Sequence, residues 1–229
     1  MKPLSVLVQT LAPILAAMLA FGGANPAAAQ ATSNESTNAR LLVSARTGDD
    51  AGVARALAAG AAVDSRNRLG ETALVVALKR QQWTMAKGLV AAGTNVNLAA
   101  VNGITPLMAA AHGGSAEIVA LLLDKGADLT PVDRVHKTAV VYAAGEGHTE
   151  IVRLFLARGV DVNRAYDNDL TALMWAAGYG RTATVRALLD GGADPRRRDN
   201  RGKTAAEIAR DGKFDETARV LDDAGAKKS

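Results

Sequence analysis

The chain has 229 residues, a formal net charge of +4, 48% hydrophobic and only 3% aromatic residues, and no cysteine. The missing thiols exclude a disulfide framework, thiolate chemistry and a cysteine-based zinc site. Length alone would suggest one or two globular domains, and the shortage of aromatics means a core built mainly from Ala, Leu and Val.

Residues 1–29 differ in character from the remainder of the chain. A single charge, Lys2, precedes an apolar run from Leu4 to Phe21, and Ala27, Ala28 and Ala29 then supply small residues for cleavage. This order predicts a secretory signal peptide, succeeded by a polar linker at 30–36. Its removal lowers the charge from +4 to +3, because Lys2 is the only charge lost. A retained membrane anchor is the rival reading, since the run is only slightly short of a spanning helix. An exported, thiol-free, Ala-rich chain with little Lys points to a bacterial periplasm.

From residue 37 the sequence repeats. Thr72, Thr105, Thr138, Thr171 and Thr204 are 33 residues apart, and Gly60, Gly93, Gly126, Gly159, Gly192 and Gly225 keep the same interval. A fixed period of this length predicts stacked supersecondary units that bury their apolar faces only against one another. The units run 37–69, 70–102, 103–135, 136–168, 169–201 and 202–229. Within one unit the Thr is placed to cap a first helix, and Pro106 suits its first turn. Gly114, Gly147 and Gly180 fit a left-handed residue that turns the chain back. Ile118, Val119, Leu121, Leu122 and Leu123 then mark a second, antiparallel helix closed by Gly126. Residues 127–137 fit an extended hairpin finger reaching the next unit. The first and last units read as caps, the last through its row of charges from Arg210 to Asp223.

The segments GITPLMAAA from Gly103, DLTALMWAA from Asp169 and AEIVALLLDKGADLT from Ala116 resemble the ankyrin repeat, and the resemblance covers roughly residues 37 to 229. It implies an all-α solenoid of about six repeats, caps included, with β-hairpin-like fingers, and a concave face of first helices and fingertips that binds proteins. Val75, Met108, Val141 and Met174 stand where the family commonly has a bridging His, which implies apolar contact there, as in a bacterial T-x-L-M-x-A-A form of the repeat. Gln81 takes a left-handed turn position at a cost of roughly 1–2 kcal/mol. Together with Gly88 at a core position, it predicts that repeat two is the least stable interior unit.

Two features point to a binding surface. Tyr142 and Trp175 share the position four after the Thr in neighbouring repeats, Tyr179 lies one helical turn after Trp175, and Tyr166 sits on the finger between them. Such residues anchor interfaces because they bury large rigid area and keep a polar tip; the plainer alternative is packing between first helices. The run Arg196, Arg197, Arg198 with Arg201 and Lys203 makes one finger basic, against Asp194 and Asp199. It suits an acidic partner, or is simply a solvated tip. One basic finger is no phosphate-tracking stripe, so no nucleic acid is expected.

His112, His136 and His148 fall in separate places, with no spacing that gathers ligands to a metal, and no nucleophile motif is present. The expectation is therefore a monomeric, non-enzymatic scaffold without cofactor. A protein partner, whose identity the residues do not reveal, would dock against Tyr142 and Trp175, with Tyr166, Tyr179 and Arg164 at the margin and Arg197 supplying charge. The alternatives are a membrane-tethered structural or protective protein, with membrane contact only if residues 1–29 are retained, and a proteinaceous inhibitor of an exported enzyme.

Overall fold

A computed structural model describes residues 26–227. Residues 1–25, and with them most of the expected signal segment, lie outside the described residues. Residues 30–36, expected as a linker, are instead helical and continue into the first repeat.

The described residues form twelve α-helices in six antiparallel pairs. The first helices of the pairs are α1 (Pro26–Thr47), α3 (Ala73–Lys79), α5 (Pro106–Gly113), α7 (Ala139–Glu146), α9 (Ala172–Gly178) and α11 (Ala205–Asp211). The second helices are α2 (Asp50–Ala58), α4 (Trp83–Ala91), α6 (Ala116–Asp124), α8 (Thr149–Ala157), α10 (Thr182–Asp190) and α12 (Asp215–Lys227). First helices pack on first helices from each unit to the next, and second on second from the second unit onward, which makes an all-α solenoid. Most of these helices have only seven to nine residues. Isolated helices shorter than about 12 residues are marginal in water, so the stack supplies their stability.

Small residues let the layers approach. Ala77, Ala110, Ala111, Ala143, Ala144, Ala176 and Ala177 are fully buried along the first helices, and Phe155 of α8 is the largest fully buried side chain among the described residues. Val75, Met108, Val141 and Met174 are all buried, so apolar contact does fill the family's polar bridge position. Met108 keeps a trace of polarity, its Sδ accepting from the Thr105 N–H at 3.5 Å.

The hydroxyls of Thr72, Thr105, Thr171 and Thr204 accept from the backbone N–H three residues on, at 3.2–3.3 Å, satisfying one of the orphan donors of each first turn. Thr138 departs from this expectation. Its hydroxyl makes no cap and donates to the Tyr166 phenol oxygen at 3.2 Å. The turn after each first helix is left-handed throughout: Gly48, Gly114, Gly147 and Gly180 have φ between 63° and 89°, and Gln81 and Lys213 take the same place at 57° and 62°. Gly225, by contrast, lies inside α12 and closes nothing. The charged row from Arg210 to Asp223 is exposed.

The fingers are hairpin-like, with one isolated antiparallel bridge among the described residues, Arg66–Thr72. Each closes on itself through a backbone bond at the same register: Asn67 N–H to Glu71, Ala100 to Ile104, Asp133 to Lys137, Tyr166 to Leu170 and Asp199 to Lys203, at 2.9–3.0 Å. Neighbouring fingers are joined by backbone bonds from Val101 to Leu69, Arg134 to Asn102 and Asn200 to Asn168. Among the described residues the equivalent bond from Asp167 to Val135 is absent. A 3-10 turn occupies Asp167–Asp169, with Asn168 and Asp169 both left-handed, and the side chains of His136 and Asp167 meet at 2.7 Å instead.

Candidate functional site

Tyr142 and Trp175 project from equivalent positions of α7 and α9, both half-buried, and a cation lies between them. The Lys137 ammonium is 4.1 Å from the centre of the Trp175 ring and 5.7 Å from that of Tyr142. The residue before each capping Thr explains why. Glu71 and Lys203 hold that position in other units and pair with the residue eight further on, Lys79 and Asp211. Eight after Lys137 stands Gly145, which offers no carboxylate, and the ammonium rests on the aromatic faces instead.

The rings extend in both directions. Tyr179 stacks on Trp175, with centres 6.2 Å apart and planes 14° from parallel, and is half exposed. The His112 imidazole of α5 meets Tyr142 edge-on at 5.7 Å, and its Nδ1 lies 3.4 Å from a Glu146 carboxylate oxygen. A groove of about 350 Å³ leads from Tyr142 and His112 along α5 to Lys79.

Asp133 fixes the orientation of Tyr142. Its Oδ1 accepts from the backbone N–H groups of Val135 and Lys137, and its Oδ2 accepts from the Tyr142 phenol at 2.5 Å. Burial, joined by this bond to a carboxylate and by its negative charge, pushes the phenol pKa well above the ordinary tyrosine range. The ring is therefore held by its polar end while its face lies open to Lys137.

Of the residues singled out from sequence, the structure thus brings Tyr142, Trp175 and Tyr179 together. Tyr166 and Arg164 form a second group, with the guanidinium 5.5 Å from the ring centre and the phenol oxygen tied to Thr138. Burial raises the Tyr166 pKa, despite the opposing bond from Thr138. No ring contact among the described residues links this group to Trp175. Arg197 is exposed and makes no ion pair among the described residues. Its neighbours are neutralised: Arg196 pairs with Asp194, Arg198 with Glu207, Arg201 with Asp199, and Lys203 with Asp211. The basic finger is therefore far less of a charged patch than its sequence suggests. Lys137, His112 and Asp133 were not expected as parts of the site; the equivalence of Lys137 with Glu71 and Lys203 is the signal that would have found the first of them.

His148 is structural. Its Nε2 lies 3.0 Å from the His112 carbonyl, and Arg181, one repeat on, donates to the Gly145 carbonyl at 2.9 Å, so both meet carbonyls at the end of a preceding first helix. Among the described residues no group of three His, Asp or Glu side chains is placed to hold a metal, and no helix is long and apolar enough to cross a membrane.

Known proteins share the pattern. The family of ankyrin repeats (3 copies) matches three overlapping stretches, residues 41–133, 84–166 and 141–229. The chain is 38% identical over 96 residues to the inactive serine/threonine-protein kinase TEX14 of Bos taurus, covering 42% of this chain and 6% of that protein. It is 41% identical over 70 residues to protein phosphatase 1 regulatory subunit 12A of Mus musculus, covering 31% of this chain and 7% of the relative. Both matches are thus confined to a small part of much longer proteins. With the 33-residue register, the capping threonines and the paired helices all in place, the chain belongs to the ankyrin-repeat family.

Proposed function

We propose that the protein is a non-enzymatic scaffold, exported to a bacterial periplasm, which docks a folded protein partner on the face made by its first helices and fingers. The observation that carries this reading is the platform of Tyr142, Lys137, Trp175 and Tyr179. It joins large rigid ring faces, half open to solvent, with a cation that has no carboxylate partner among the described residues. Buried aromatic anchors surrounded by polar groups are the usual energetic centre of protein interfaces. Ankyrin repeats generally mediate protein–protein contacts and are typically non-catalytic, and the relatives' names, an inactive kinase and a regulatory subunit, fit a binding role. Docking would cover Tyr142 and Trp175, with Tyr179, Tyr166 and Arg164 at the margin and Arg197 contributing charge from the finger beyond. Export is supported by the order of Lys2, the apolar run and the small residues 27–29.

The test is cross-linking in cells of the natural source, with a photoreactive residue at position 175 and a control at Lys125 on the turn after α6. A protein captured at 175 alone is expected. Trp175→Ala should then weaken its affinity by about 2 kcal/mol, the scale of an interface hot spot. Equal capture at both positions, or unchanged affinity in a folded Trp175→Ala variant, would refute the placement. N-terminal sequencing of the exported form tests the signal segment: a chain beginning near Gln30 is expected, and one beginning at Met1 would refute cleavage.

A further inference from the structure

A second cavity, of about 800 Å³, opens at the other end of the same face, between α1, the first finger and α3. Five cationic side chains line it: Arg46 from the end of α1, Arg66 and Arg68 from the finger, and Lys79 and Arg80 from the end of α3. The lining contains one carboxylate, Glu71, which is already engaged by Lys79 at 2.7 Å and by Asn67 at 2.8 Å. Burial works against its charge, yet these two hydrogen bonds and the Lys79 charge hold its pKa below the ordinary glutamate value, so it stays ionised and committed to Lys79. Arg46, Arg66, Arg68 and Arg80 are exposed and make no ion pair among the described residues. The contrast with the finger at 194–203 is clear, since there four of the five cations have a carboxylate beside them. Like charges gathered in a concavity reinforce one another's field and attract an anionic partner.

Apolar side chains stand beside this charge. Val43 lines the cavity, and Leu69, 63% exposed, forms its fingertip wall. Val101 on the next finger, 57% exposed, donates its backbone N–H to the Leu69 carbonyl, so the two tips are adjacent. Exposed aliphatic side chains grouped in this way mark contact surfaces more than isolated ones do. A bare polyanion would leave them uncovered, and the cavity lining contains no aromatic ring on which a nucleobase would stack.

We propose that this cavity and its fingertips take an acidic protein segment, whose carboxylates pair with Arg46, Arg66, Arg68 and Arg80 and whose aliphatic side chains cover Val43, Leu69 and Val101. The site shares the face of the docking reading above but none of its aromatic residues, so the two stand or fall separately.

The test is selection of random displayed dodecapeptides on the full chain. The enriched peptides are then measured by fluorescence anisotropy against the wild type, Arg46→Glu/Arg68→Glu, the milder Arg46→Gln/Arg68→Gln, Leu69→Ser/Val101→Ser and Trp175→Ala, each checked for folding by circular dichroism. Enrichment of Asp or Glu together with Leu, Ile or Val is expected. Affinity should fall about tenfold or more on charge reversal, severalfold with the polar fingertips, and not at all with Trp175→Ala. Peptides without acidic enrichment, or acidic peptides indifferent to charge reversal or to the polar fingertips, would overturn the proposal. So would a DNA duplex or anionic vesicles that bind with the same charge sensitivity where no peptide does. A peptide lost only with Trp175→Ala would favour the aromatic platform and overturn the cavity.

Discussion

Removing one oxygen from Tyr142 tests how the aromatic platform is held. In Tyr142→Phe the ring and its contacts with Lys137 and His112 survive, but Asp133, a residue only 5% exposed, loses its partner at Oδ2. A hydrogen bond to a charged group contributes about 1.5–3 kcal/mol, and the half-buried phenol places this one near the lower end, at about 1.5 kcal/mol. In an Asp133→Asn background Oδ1 still accepts from the finger backbone while the second position becomes a neutral amide, so the same substitution should cost about 0.5 kcal/mol. The difference, about 1 kcal/mol, is the coupling that a double-mutant cycle isolates. Urea unfolding followed by Trp175 fluorescence, with Trp83→Phe in all four chains, reads the repeat that packs next to the bond, through the contact of Trp175 with Lys137. A shift in midpoint at constant slope is expected. A loss equal in both backgrounds would refute the claim that the Asp133 charge orients Tyr142.

Three further outcomes rest on the same geometry. Phe155→Ala empties a fully buried site in α8 and should cost about 3–5 kcal/mol by denaturant titration, with the loss centred on repeats three to five. Gln81→Gly relieves a left-handed φ of 57° and, after the greater freedom of glycine in the unfolded chain, should stabilise by about 1 kcal/mol; a thermal melt showing destabilisation would contradict it. Glu71, Asp199 and Glu207 all have pKa values held below the ordinary 4.5, 3.8 and 4.5, so on acidification the unfolded chain takes up their protons first. Their stabilisation is complete above those ordinary values and is lost as pH falls through the lowered ones. Urea midpoints measured from about pH 5 to about pH 3 should drop, and drop less in Glu71→Gln/Asp199→Asn.

The capping role of Thr72, Thr105, Thr171 and Thr204 was legible because the acceptor and its donor lie three residues apart. Thr138 was misread because its partner, Tyr166, is 28 residues away on a finger. The left-handed turns were legible from register even at Gln81, and Lys213 obeys the same register although its residue type gives no hint. Charge was the least legible property. Arg196, Arg197 and Arg198 attract notice as a run, yet folding places Asp194 and Glu207 beside two of them. The N-terminal cavity draws its five cations from two helices and a finger, and none of those segments looks unusual alone. The aromatic pair could be read from equivalent positions, whereas Lys137 required knowing that the residue eight further on, Gly145, lacks a side chain to receive it.

Among the described residues, the fingers at Val135 and Asp167 lack the backbone bond that joins their neighbours. On either side of that step neighbouring fingers are stitched through the main chain; across it they meet through side chains, His136 with Asp167 and Thr138 with Tyr166, on bonds that rotate. Beneath that step the helices pack as closely as anywhere in the stack, α7 on α9 and α8 on α10, so the core and not the fingertips holds the two layers together. Tyr142 and Trp175 stand on opposite sides of that step, with Lys137 spanning them. The span between the two rings is therefore set by helix packing beneath them, while the fingertips beside them are tied only through side chains, His136 to Asp167 and Thr138 to Tyr166, so a bound partner can reshape the rim without moving the anchors.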